Sequence, residues 1–258
     1  MRRKIVVAVL LGLLVVAGTA MASSFRRHVE IGGLVLDAEG GFSPNALPRH
    51  HDAPIVTHGG GKLSTVSGEI PPILDTFVLE FDRHGHVDTT GLAHCTKGKL
   101  VATTVRVARR SCGDSIVGKG FGSAIVALPE QKPFKVGSPI TLFNGPKKGG
   151  NFTILAHAHL EFPGPTTFIV PIVIEKIHKG VYGYRVKVKI PKIAGGYGHP
   201  IAGSAKVGRK WKFKGKEHSY INARCETGHF LVRGEFTFKE VGTILNASFF
   251  LPCKVRPE

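Results

Sequence analysis

From Leu63 onward, apolar and polar side chains alternate with a period of two, in short runs broken by Gly- and Pro-rich separators. Phe77, Leu79 and Phe81 alternate with Val78, Glu80 and Asp82; Arg83-His84-Gly85-His86 then reads as a turn, with Val87 starting the return. Residues 116–128, 139–143, 152–162, 166–177 and 182–190 carry the same strand signal, as do 201–207, 211–213, 219–224, 230–238 and 243–250. Between them stand Asn144-Gly145-Pro146, Gly149-Gly150, Pro163-Gly164-Pro165 and Gly195-Gly196, residues that supply the backbone angles of tight turns. Many short strands joined this way predict an all-β fold, an antiparallel sandwich or a strongly curved sheet.

The period changes once. Between Cys95 and Cys112, residues Leu100, Val101, Thr104, Val105 and Ala108 recur at helical spacing, with Arg106, Arg109 and Arg110 elsewhere. This predicts one short amphipathic helix from Lys99 to Arg110, flanked by cysteines and ended by Gly113-Asp114-Ser115. The first part of the chain is less regular. Residues 23–62 read as an N-terminal arm or loop region with a first strand at 29–36, a Gly/Pro/Asn/His-rich loop at 37–52 and a flexible point at Gly59-Gly60-Gly61. Residues 63–258 read as the main antiparallel domain, with a subdivision near 130–138.

Composition adds a location. Arg2, Arg3 and Lys4 precede an apolar run from Ile5 to Val16, and Ala20-Met21-Ala22 has the small-x-small pattern of a cleavage site. This reads as a signal peptide over residues 1–22; the run is short for a spanning helix, which makes a retained anchor the weaker expectation. The protein is therefore expected to be secreted or extracytoplasmic, in a bacterial cell envelope. In that setting Cys95, Cys112, Cys225 and Cys253 are a disulfide question. Pairing Cys95 with Cys112 and Cys225 with Cys253 closes two short local loops.

Charge adds a partner class. The formal net charge is +17, and losing the leader with its three bases leaves +14. An exported protein this basic associates with polyanions: an anionic cell-wall polymer or an anionic membrane surface. Two alternations concentrate the bases. Arg185, Lys187 and Lys189 share one strand face opposite Val186, Val188 and Ile190, and Lys210, Lys212, Lys214 and Lys216 oppose Trp211 and Phe213. If these strands are neighbours, they form one cationic plate. Aromatics on the opposite face argue against base stacking, and export argues against a nucleic-acid role.

Several motifs carry less. Ala93-His94-Cys95 and Cys112-Gly113-Asp114-Ser115 echo the boxes of trypsin-like proteases, but His94 and Ser115 lie too close in sequence and Asp114 is the only acid between them. Gly118-Lys119-Gly120-Phe121-Gly122 lacks the spacing of a phosphate loop and reads as close backbone approach in a strand. His157 and His159, two apart on a strand, project to one face, and Glu161 would extend the row as a third metal ligand. Asn151 and Asn246 begin glycosylation sequons. The carboxylate pairs Glu80 with Asp82 and Glu161 with Glu175 are nominal glycosidase candidates without geometry.

One likeness covers most of residues 74–253. The stretch Phe143-Asn144-Gly145 to Gly150, the run Glu175-Lys176-Ile177 to Arg185, and the ending with Arg233-Gly234-Glu235-Phe236-Thr237-Phe238 and Pro252-Cys253 resemble a group of uncharacterised secreted β-rich proteins from actinobacteria. The group has no assigned activity, so the resemblance implies no catalytic residues. The expectation is a non-enzymatic envelope or extracellular binding or structural module with a cationic face and no cofactor. Two alternatives remain: a carrier of an apolar ligand in a β-sheet cavity, and a metal-dependent enzyme using His157 and His159.

Overall fold

In the computed structural model, which describes residues 23–239 and 244–256, the alternating segments become the staves of one large sheet; the predicted leader lies outside the described residues. The elements in chain order are β1 (Ser23–Ile31), β2 (Leu34–Ser43), β3 (Ala46–Leu47), β4 (Ala53–Pro54), β5 (Val56–Thr65), β6 (Leu74–Asp82) and β7 (Gly85–Val87). Helices α1 (Lys97–Leu100) and α2 (Val105–Cys112) follow, then β8 (Ile116–Val126), β9 (Phe134–Asn144), β10 (Phe152–Leu160), β11 (Thr166–Lys179) and β12 (Tyr182–Lys189). The chain ends through β13 (Gly198–Val207), β14 (Lys210–Phe213), β15 (Lys216–Ser219), β16 (Ile221–Ala223), β17 (His229–Phe238), β18 (Ile244–Pro252) and β19 (Lys254–Val255).

Twelve antiparallel strands pair in the order β1-β2-β5-β13-β8-β9-β10-β11-β12-β6-β17-β18. The two edge strands approach each other, and Phe25 of β1 stacks on Phe249 of β18 with ring centroids 4.5 Å apart. The sheet is thus nearly closed, which shields both of its edges. Its concave face collects one residue of each alternating pair. Leu34, Leu36, Phe42 and Leu63 pack with Phe230, Val232, Phe238, Leu245 and Phe249. Leu142, Phe152, Ile154, Ala156, Ile174 and Tyr184 form a second inward cluster, against which Ala205 and Val207 pack from β13.

Closure needs a tight bend, and glycine supplies it where β8 meets β13. A Cβ on Gly118 would lie 2.4 Å from the Lys206 carbonyl oxygen, and one on Gly120 would lie 2.2 Å from that of Ser204. The Gly-x-Gly-x-Gly run therefore allows two backbones to approach closely, as expected from the sequence. One end of the sheet is filled by the small ladder β4-β16-β7, by Leu47, Ile55 and Tyr220, and by the Cys225–Cys253 disulfide. On the convex side, Leu100, Ala108 and the Cys95–Cys112 disulfide pack on Phe143 and Leu155. Both predicted disulfides are present, with Cα–Cα distances of 5.6 and 6.0 Å.

The N-terminal region differs from expectation. The strand expected at 29–36 straddles a hairpin turn, because Gly32 and Gly33 both take positive φ. The expected loop begins inside β2, and Gly59-Gly60-Gly61 lies within β5, paired with Ala38, Glu39 and Gly40 on one side and with Gly203, Ser204 and Ala205 on the other. Ladders on both sides override the low strand propensity of glycine. Residues 23–43 and 56–62 are thus part of the sheet, β3 and β4 pair in separate small ladders, and residues 130–138 cover the β8–β9 connection and the start of β9. The single helix expected from Lys99 to Arg110 is split into α1 (Lys97–Leu100) and α2 (Val105–Cys112). Ala102 takes φ +54°, and the Thr104 hydroxyl accepts from the Val107 amide to cap α2. Segment β7 pairs with β16, not with β6.

Candidate cationic surface

The bases singled out by alternation have separate fates. On β12, Arg185 donates through Nε and Nη2 to Oε1 of Glu80 at 3.1 and 2.8 Å, and Arg233 of β17 donates to Oε2 at 2.5 Å. The three residues stand in register across β12, β6 and β17. Burial pushes the Glu80 carboxyl up, but the Arg185 hydrogen bond and the charges of Arg233, Lys179 and Arg185 outweigh it and hold the group below the ordinary range. Arg185 is therefore an internal partner. Lys187 and Lys189 remain exposed on the same face, without an acidic partner among the described residues.

The Lys210–Lys216 run is a separate hairpin. Strand β14 pairs only with β15, and β12 lies between β11 and β6. The two basic runs consequently do not form a single plate: sequence alternation gives the face of each strand but not its neighbour. The hairpin turns through Lys214 and Gly215, both at positive φ. Its underside is anchored. The Trp211 indole donates to the Thr90 carbonyl at 2.9 Å, and His218 Nδ1 donates to Asp88 at 2.7 Å. Trp211 and His218 stack at 5.6 Å, and Phe213 covers Gly91 so closely that a Cβ there would lie 2.1 Å from its ring. Burial pushes the Asp88 carboxyl up, but the bonds from His218 and Thr90 hold it below the ordinary range.

Lys210, Lys212, Lys214 and Lys216 are all exposed, but they do not share one face: Lys210 and Lys212 point away from the anchors, Lys214 lies in the turn, and the two-residue turn puts Lys216 opposite Phe213 on the anchored face. None makes an ion pair with a carboxylate among the described residues; Lys214 lies over the Phe213 ring at 5.6 Å. The surface continues toward α2. Arg209 donates to the Gly113, Asp114 and Ile116 carbonyls just past that helix, whose Arg106 and Arg110 are exposed. Sequence alternation found the lysines. It missed Asp88, His218 and Thr90, which hold them, because those contacts join loops distant in sequence.

The histidine pair has a structural explanation. His157 and His159 do share the convex face of β10, but the helical segment covers them. His157 is fully buried, and its Nε2 lies 3.0 Å from both the hydroxyl and the carbonyl of Thr103. His159 donates to Thr167, whose hydroxyl donates to the same Thr103 carbonyl. Burial, reinforced by neighbouring His159, lowers the His157 pKa despite the Thr103 bond. Glu161 lies beyond the end of β10 and is exposed, so the expected three-ligand row is not formed. Among the described residues no group of three His, Cys, Asp or Glu side chains could hold a metal ion.

Of the protease echo and the carboxylate pairs, Ser115 and Asp82 are engaged within the fold. Ser115 is buried and donates to the Cys112 carbonyl, while His94 is exposed. Asp82 accepts from the His84 and Leu231 amides. The ring nitrogens of His84 lie 2.7 and 2.8 Å from Asp82 and Glu226; the Asp82 approach lacks hydrogen-bond geometry at Nδ1. Two open clefts are rimmed by charge. One, of about 410 Å³, lies among Asp52, Arg83, His86, Lys176, Tyr182 and Arg224. The other, of about 370 Å³, lies beside Lys189 and Lys192.

The two disulfides suit an oxidising, extracytoplasmic compartment. Among the described residues no helix is long and apolar enough to cross a membrane. Comparison with protein-family models and with curated proteins returns no match.

Proposed function

We propose that this chain is a secreted, non-enzymatic binding module of the cell envelope that holds polyanionic surfaces, a wall polymer or an anionic membrane, on the face built by β14–β15 and extended toward α2. The observation that carries this reading is the anchored hairpin, which exposes Lys210, Lys212, Lys214 and Lys216 with no ion pair to a carboxylate among the described residues and one acid, Glu217, opposite Lys212. Fixed lysines on a rigid mount attract dense negative charge, and screening by salt weakens that attraction.

The test is retention on phosphatidylglycerol vesicles and on anionic wall polymer across a salt series. The wild type should bind at low salt and release steeply as salt rises. Replacing all four hairpin lysines by Gln should weaken retention and flatten its salt dependence. Equal retention of both proteins at every salt concentration would refute the reading.

A further inference from the structure

The concave wall is not evenly filled. On the β2, β5, β17 and β18 side the inward side chains belong to a buried cluster. On the β11, β12 and β6 side, Val170, Ile172 and Val186 pack at the margin of the second inward cluster, and they and Leu79 and Phe77, which also point inward by register, are only partly buried. Phe81 also faces inward and is 36 % exposed. An inward apolar wall that stays accessible has room for apolar matter beside it.

That wall has an opening. Strand β11 pairs with β10 from Thr166 to Ile174, but its ladder with β12 runs only from Val173 toward the C-terminal end. Where the next rung would fall, Pro171 has no amide to donate, and β12 departs through Ile190 to bond Asp75. The cleft of about 370 Å³ occupies this splay. Its apolar lining is Ile169, Val170, Pro171, Ile190 and Pro191, and Lys189, Lys192 and Lys239 line it together with Asp75, the one acid among the described residues there. All three lysines are exposed, and none makes an ion pair with a carboxylate among the described residues.

An apolar floor leading to an apolar wall, under a cluster of cations, matches one ligand chemistry. We infer that this splay is the mouth of a site for a single-chain amphiphile with a carboxylate head, a long-chain fatty acid. The tail lies along Val170, Ile172 and Val186, and Lys189, Lys192 and Lys239 hold the head. The site goes beyond the polyanion face: it uses different lysines and requires a tail. Burial of the chain supplies affinity and the charge supplies orientation.

The full chain is titrated with a fluorescent polyene fatty acid and then competed with oleate, oleyl alcohol, acetate or an extended acidic peptide. Saturable one-to-one binding is expected, displaced by oleate, poorly displaced by the alcohol and unaffected by acetate. The Lys189/Lys192/Lys239→Gln variant should bind about tenfold or more weakly. The hairpin-lysine variant should bind the probe like wild type, which separates this site from the polyanion face. Absence of saturable binding overturns the inference. So does displacement by oleyl alcohol as effective as by oleate, or an unchanged triple variant. Displacement by the acidic peptide with no effect of oleate would identify the open β11 edge as a strand-docking site and would equally overturn it.

Discussion

Strand β12 and the β14–β15 hairpin carry the same sequence pattern, bases alternating with apolar residues, and put it to opposite use. On β12 the first base, Arg185, shares Glu80 with Arg233. Two cations and a buried carboxylate there tie three strands together. On the hairpin Trp211 and Phe213 are the anchors, Lys210 and Lys212 point away from them, and no hairpin lysine makes an ion pair with a carboxylate among the described residues, although Glu217 stands opposite Lys212. Alternation within one strand therefore determines on which face a charge lies, and a turn resets it, as at Lys216. Whether that charge is available depends on what the neighbouring strand brings into register.

The strongest way to break this contrast is to remove the shared acid. Glu80→Gln leaves Arg185 and Arg233 facing each other without their counter-charge. We expect a loss of about 2–4 kcal/mol, below the full cost for a buried pair because both guanidiniums are more than a third exposed. A lower midpoint in urea denaturation would record it, and the freed arginines should strengthen retention on a cation-exchange column. An unchanged midpoint would mean the triad contributes little.

The same group gives a pH signature. A carboxyl held below its ordinary value in the folded chain contributes stability that is fully present at neutral pH. That contribution fades as pH falls below about 4.5 and is gone once the pH passes the lowered value. Thermal melts between neutral pH and the acid range should show this limb in wild type, and Glu80→Gln should flatten part of it. The remaining slope reports groups such as Asp88, which is lowered for a different reason.

Smaller effects sharpen the other half of the comparison. Asp88→Asn removes the charged acceptor of His218 and should cost about 1 kcal/mol, with weaker vesicle retention because the hairpin is less firmly held. Replacing Lys210, Lys212, Lys214 and Lys216 by Gln should shift stability by less than about 0.5 kcal/mol, since surface charges without partners contribute little to folding. A large loss of stability in that variant would show that these lysines belong to the fold and would return the hairpin to the same category as β12.

Much of the architecture was legible in the chain. The alternation of Phe77, Leu79 and Phe81 is a strand in the structure, Cys95 and Cys225 pair with their nearer partners, and Gly118 and Gly120 mark close backbone contact. The glycine-rich strand β5 was not, because it has few side chains to show a period and owes its extended form to β2 and β13. The histidine row was visible, but its cover was not: Thr103 lies 54 residues from His157 and reaches it only because the disulfide-flanked segment folds over β10.

By itself the sequence determined what is local: the period of each strand, the turns, the two short disulfide loops and the excess of positive charge. These follow from backbone sterics and side-chain spacing, which act over a few residues. Only the tertiary structure decided which charges are neutralised and which faces are covered. Arg185 and Arg233 stand 105 and 153 positions from Glu80, and their meeting depends on strand order and register across a nearly closed sheet. Charge neutralisation needs contact within a few ångströms, so it was set by the assembly of strands distant in sequence and could not be read from any one of them.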